Sequence, residues 1–188
     1  MCWDVCEDIP GRVRGSWKKR RGVTGEENKR VYERYIDLLN AQDFKALDEV
    51  VDPGRYREIC VGFTRGWVDL PEAVASLEKV VGGIPDLNAR IDDMVAEGDK
   101  VYARLTVTGT NSGRFFGAPP TGRSYEASMF DYARIEDGRI VERIQQSDTL
   151  SQLTQMYGGA AKKAAVGTGA GLLGTAVLFF LRRRRRGH

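Results

Sequence analysis

The feature that most restricts the fold is a change of hydrophobic period near residue 88. Before it, apolar side chains recur at helical spacing; after it, they alternate. Glu26 to Asn40 reads as a helix through Val31, Tyr35, Leu38 and Leu39. Asp43 is placed to cap a second short helix carrying Phe44, Leu47, Val50 and Val51, which Asp52-Pro53-Gly54 stops. A third helix is predicted from Leu70 to Val81, with Pro71 in its first turn and Gly82-Gly83 at its exit. Asn88 to Ala96, Lys100 to Thr108, Arg123 to Ile135 and Arg139 to Gln146 then read as strands. Asp137-Gly138, between Ile135 and Ile140, is a hairpin signal. Helices followed by strands imply an α+β fold, with the helices packed on a long, curved antiparallel or mixed sheet whose concave side forms a pocket.

A chain of 188 residues has room for one full core and short appendages. Charge divides it in the same way. Residues 23–158 hold 16 Lys and Arg against 23 Asp and Glu, net −7, whereas residues 1–22 and 159–188 are basic. An acidic body argues against a nucleic-acid surface, which needs concentrated Lys and Arg to neutralise phosphates.

The single histidine is His188, so neither a Ser-His-Asp triad nor a histidine-rich metal site can form within the core. Cys2, Cys6 and Cys60 lack the paired spacing of a structural zinc site and read as reduced thiols. The glycines Gly113, Gly117 and Gly122 belong to no phosphate loop or dinucleotide fingerprint and suit a tight connection at a pocket rim. No metal or cofactor is implied.

Residues 1–22 lack the apolar core of a secretory signal and read as a flexible basic extension, although Trp3 and Trp17 could dock on a partner. Residues 159–188 form a tail in which Ala164 to Leu181 is uncharged, followed by Arg182 to Arg186. As a helix, those 18 residues would span about 27 Å, close to the hydrocarbon thickness of a thin bilayer. The segment is therefore predicted to cross a membrane, with a loosely ordered tail or a surface helix as the alternative. Membrane association follows from insertion, with topology open because the positive ends and the absence of a leader conflict; without insertion the protein is cytoplasmic.

Strand parity locates the polar groups of the expected pocket. Tyr125, Ala127, Met129, Asp131, Ala133 and Ile135 share one face; Val141, Arg143 and Gln145 share one on the neighbouring strand. If Asp131 and Gln145 point inward together, an apolar cavity holds one carboxylate and one amide. Two readings of Asp131 stand at this point: a base that abstracts an activated C–H proton, or an aspartate that is solvated or paired with arginine.

Residues 27 to 157 resemble the SnoaL-like polyketide cyclases of the nuclear transport factor 2-like superfamily. The resemblance rests on Ile84-Pro-Asp-Leu87, Gly109-Thr-Asn-Ser-Gly-Arg-Phe-Phe-Gly-Ala-Pro-Pro-Thr-Gly122 and Arg134-Ile-Glu-Asp-Gly-Arg-Ile-Val-Glu-Arg143. It implies a strongly curved sheet forming a conical α+β barrel with a deep hydrophobic pocket for an apolar small molecule, often in homodimers or larger homo-oligomers. In the family's cyclases an aspartate near the end of the last strand and a pocket histidine carry an intramolecular aldol closure. Their positions are occupied here by Gln145 and Asp131, and a Gly-Thr-His motif becomes Gly109-Thr110-Asn111. Gln145 cannot shuttle a proton, so that mechanism does not carry over intact.

The catalytic set this leaves is Asp131 as base, Gln145 and Asn111 as hydrogen-bond donors to an enolate-like oxygen, and Arg143 as electrostatic partner. Asp148 matches an aspartate common after the family's last strand and is read as structural. The expected function is cofactor-free cyclisation or isomerisation of an apolar, polyketide-like carbonyl compound. The alternatives are a noncatalytic ligand-binding domain and a homo-oligomeric scaffold, either anchored to a membrane.

Overall fold

The computed structural model describes residues 24–61 and 63–167. Helix α1, Gly25–Asn40, opens with a reciprocal cap: the Thr24 hydroxyl accepts from the Glu27 amide while the Glu27 carboxylate accepts from the Thr24 amide. Its buried face carries Tyr32, Tyr35, Ile36 and Leu38. Asp43 caps the next element as expected, but Phe44–Glu49 is a 3-10 helix of six residues. Helix α2, Leu70–Gly83, is capped by Asp69 and has Pro71 in its first turn, where a missing N–H costs nothing.

The strands are β1 (Arg57–Val61), β2 (Asn88–Glu97), β3 (Lys100–Thr110), β4 (Ser124–Glu136) and β5 (Arg139–Ser147). They form one mixed sheet in the order β1-β5-β4-β3-β2. β2 to β5 follow as antiparallel neighbours, while β1 joins β5 in parallel. At the β4–β5 turn, Asp137 and Gly138 have φ of 53° and 76°, the left-handed pair that lets a tight hairpin follow the strand twist. Helix α3, Thr149–Gly167, returns along β4 and places Met156 in the core.

Burial alternates along β3 and β4, as a sheet covered on one face requires. Val101, Leu105, Ile135 and Ile140 meet Tyr32, Ile36, Leu47 and Met156 in one core cluster. Each such aliphatic side chain contributes roughly 1.5–3 kcal/mol by leaving water. The long β3–β4 connection is pinned to the end of α2: Gly113 donates to the Gly83 carbonyl, and a Cβ on Gly113 would lie 2.0 Å from the Gly82 oxygen. Only glycine allows that approach.

Two expectations are overturned. The sheet is not strongly curved or closed into a conical barrel: β1 and β2 are separate edges at opposite ends of the strand order. Among the described residues, two register shifts interrupt the ladders, at Ile91/Asp93 and Arg134/Ile135, and closure needs repeated bends of that kind. The covered face is occupied by large side chains, among them Tyr32, Tyr35 and Arg143, where a deep apolar pocket was expected. A shallow depression of 340 Å³ opens instead on the uncovered face, among Val95, Tyr102, Phe130, Tyr132 and Ile144.

The second correction concerns the tail. Among the described residues, no helix is long and apolar enough to cross a membrane. Residues 164–167 of the expected span continue α3, a helix that packs on β4 and carries Lys162 and Lys163. Residues 168–188 lie outside the described residues, as do 1–23. Membrane association and membrane localisation, which depended on a spanning helix, therefore lose their support.

Candidate active site

Asp131 lies near the middle of β4, and alternation turns its side chain to the covered face, between the outward Phe130 and Tyr132. The depression on the outer face therefore touches this strand from the side away from the carboxylate. Directly across the β4–β5 ladder Asp131 pairs with Gln145, and Ala133 pairs with Arg143. Beyond β5, β1 places Glu58 opposite Arg143 and Cys60 opposite Gln145. Three adjacent strands thus deliver Asp131, Arg143, Gln145, Glu58 and Cys60 to one patch, and α1 covers it with Tyr32 and Tyr35.

The carboxylate of Asp131 is held asymmetrically. Its Oδ2 accepts from the Tyr32 hydroxyl at 2.7 Å and from Arg143 Nε at 2.8 Å, and Arg143 Nη2 stands 2.7 Å from the same oxygen as an ion-pair contact. Its Oδ1 is buried and has no hydrogen-bond partner among the described residues. Arg143 uses its remaining terminal nitrogen, Nη1, toward the Tyr35 hydroxyl at 3.0 Å and Glu58 Oε2 at 3.2 Å. The Tyr56 hydroxyl donates to the same Glu58 oxygen at 2.6 Å. The guanidinium also lies over the Tyr35 ring, 5.0 Å from its centroid.

This cluster is almost wholly removed from water: Asp131 is 3% exposed, Glu58 4% and Arg143 1%. One guanidinium thus faces two carboxylates. Excess negative charge away from water is costly, and proton uptake relieves it. Burial raises the pKa of Asp131 above the ordinary aspartate value, outweighing the opposing pull of Arg143 and of its hydrogen bonds, and Glu58 pushes it the same way. Burial works against the charge on Arg143, but the attraction of Asp131 and Glu58 prevails and keeps it protonated. Tyr32 is driven upward by burial and then by Asp131, so its phenol stays a donor.

Gln145 is half-buried, and its Nε2 donates to Cys60 Sγ at 2.7 Å. Burial raises the Cys60 thiol pKa, so this sulfur is a weak acceptor rather than a thiolate. Among the described residues, no group of His, Cys, Asp and Glu is arranged to hold a metal ion.

Of the residues singled out by sequence, Asp131, Arg143 and Gln145 come together here. Asn111 does not. It stands eight positions along β3 and its exit from Ala103, the partner of Asp131, which is on the order of 26 Å of strand. Its amide is spent on the β3–β4 connection, donating to the Gly113 carbonyl at 3.0 Å and accepting from the Thr121 amide at 3.0 Å. Asp148 accepts from the Ser151 amide at 3.0 Å and so caps α3. Sequence reasoning missed Glu58, Tyr32 and Tyr56. The spacing of Tyr32 and Tyr35 on one helical face was the available signal for two phenols reaching one site.

With this geometry in place, comparison with known proteins defines the class. The model of the SnoaL-like polyketide cyclase family matches residues 29–156, and the chain belongs to that family, within the nuclear transport factor 2-like superfamily. Among solved structures it is similar to IdmH, a candidate polyketide cyclase from Streptomyces antibioticus, at 29% identity over 68% of this chain and 96% of that one, with a TM-score of 0.63. A candidate SnoaL-like polyketide cyclase from Jannaschia sp. CCS1 is 25% identical over 73% and 96% of the two chains, with a TM-score of 0.65. TsrD from Streptomyces laurentii is 27% identical over 71% and 97%, with a TM-score of 0.62. No match was found among curated proteins.

Proposed function

We propose that the protein is a cofactor-free cyclase or isomerase that removes a proton from an activated C–H of an apolar, polyketide-like carbonyl compound, with Asp131 as the base. The observation that carries this reading is the buried Oδ1 of Asp131, without a hydrogen-bond partner among the described residues, beside an Oδ2 that accepts two hydrogen bonds and a further ion-pair contact. A carboxylate serving only as an ion-pair partner gains most by engaging both oxygens. Here Arg143 and Tyr32 fix the orientation through one oxygen, and the other keeps its lone pairs. The raised pKa makes that oxygen a stronger base than an exposed aspartate.

In the proposed step, the substrate C–H bond breaks, its proton passes to Oδ1, and the electron pair moves to the carbonyl oxygen. Gln145 Nε2 leaves its weak sulfur acceptor to donate to that oxygen. Gln145 is half-buried and directly across the ladder from Asp131, so its side of the cluster is the approach from solvent. Protonated Asp131 then returns the proton to the cyclised or isomerised product. The candidate cyclase activities of IdmH and the Jannaschia protein support the carbonyl substrate class.

The test is deuterium exchange into the methyl group of acetophenone in D2O, followed by proton NMR. The wild-type protein accelerates exchange and Asp131→Asn, folded by circular dichroism, does not. Equal acceleration by both proteins rejects Asp131 as the base.

A further inference from the structure

Arg143 can hold Asp131 by a single oxygen only if something fixes its other end. A free guanidinium would rotate to pair two nitrogens with two carboxylate oxygens, the favoured fork geometry, and would then consume Oδ1. Nη1 is instead drawn away from Asp131, to Glu58 Oε2 and the Tyr35 hydroxyl, and Tyr56 pins the same Glu58 oxygen. β1 has only five residues, and its parallel register brings Glu58 directly opposite Arg143. A carboxylate at the second position of such a strand, 4% exposed, contributes nothing to apolar packing.

We propose that Glu58 is a positioning residue for Asp131: it anchors the outer end of Arg143, so that the guanidinium closes on Oδ2 and leaves Oδ1 open to accept a proton. This rests on the reading of Asp131 as the base, and it adds a second carboxylate acting through the arginine without touching substrate. The groups facing Asp131 are Tyr32 and Tyr35 from α1, Tyr56, Glu58 and Cys60 from β1 and the residue before it, and Arg143 from β5. The facing residues of β3, Val101, Ala103 and Leu105, are apolar, so Glu58 is the one other carboxylate named in this set.

The proposal is tested without substrate, on the full chain, by following the Asp131 carboxyl carbon through a pH titration with carbon-13 NMR; the resonance is assigned by its loss in Asp131→Asn. Glu58→Gln removes the second negative charge and releases Arg143, and lowers the Asp131 midpoint by about one pH unit, a tenfold fall in proton affinity. Glu58→Asp keeps the charge but loses the reach to Nη1, and lowers the midpoint by less. If Glu58→Gln does not fold, the Glu58→Asp shift decides alone. An Asp131 midpoint unchanged in the folded variants overturns the positioning role. Asp131-dependent exchange of acetophenone deuterium would then still stand, because that measurement does not require Glu58.

Discussion

Arg143 closes two nitrogens, Nε and Nη2, on a single oxygen of Asp131 and leaves the other oxygen of that carboxylate buried and unpartnered. The same guanidinium is the counter-charge for Glu58, so it neutralises two carboxylates at once. Removing one partner of a buried ionic group costs more than the pair itself contributes, because an uncompensated charge stays behind. Arg143→Met is therefore expected to destabilise the domain by about 3–5 kcal/mol in urea unfolding at neutral pH. Arg143→Lys, a point charge without the fork, recovers part of that loss. An Arg143→Met protein as stable as wild type would show that the cluster is neutralised in another way.

The raised pKa of Asp131 also fixes the sign of a pH effect. The folded state holds its proton more tightly than the unfolded chain, so this group's contribution to stability is fully present below the ordinary aspartate range. It is lost as pH rises through the folded-state value. The difference in unfolding free energy between wild type and Asp131→Asn should fall with rising pH from about 4 upward, by at most about 1.4 kcal/mol per pH unit. Carboxylates with lowered pKa, such as the half-buried Asp52 and Asp92, act in the opposite direction but cancel in the difference. A difference that is flat or rises with pH contradicts the assignment.

Asn111 is fully buried and stitches the β3–β4 connection to itself through both ends of its amide. Asn111→Ala removes the donor to the Gly113 carbonyl and the side-chain acceptor shared by the Thr121 amide and hydroxyl, and should cost about 1–3 kcal/mol in urea unfolding. The connection should also become the first site of limited proteolysis. An unperturbed unfolding midpoint would mean that these bonds are readily replaced by water.

The parts of the fold that could be read from sequence are those whose signals are local. The Asp137-Gly138 turn, the alternation of β3 and β4 and the cap at Asp43 are each written within a few residues. Parity gave each strand's faces and left open whether Asp131 and Gln145 shared one; the ladder pairs them. β1 escaped notice because a five-residue strand with an inward glutamate carries no alternation of its own; it is specified by parallel pairing with β5, 85 positions away between Glu58 and Arg143. α3 was missed because Thr149 onward reads as weakly amphipathic, and its helix depends on docking Met156 and bonding Gln155 to Glu126. The filled covered face follows from the same non-local contacts: Tyr32 and Tyr35 look like packing residues until Asp131 and Arg143 arrive beneath them.

In the proposed reaction, Oδ1 of Asp131 accepts a proton from a carbonyl substrate. The most direct measurement is the pH dependence of acetophenone deuterium exchange by wild type and Asp131→Asn. The wild-type rate should rise with pH to a plateau, with a midpoint above that of an ordinary aspartate and equal to the Asp131 midpoint seen by carbon-13 NMR, and Asp131→Asn should show no such rise. A profile shared by both proteins, or a midpoint that does not follow Asp131, would contradict it.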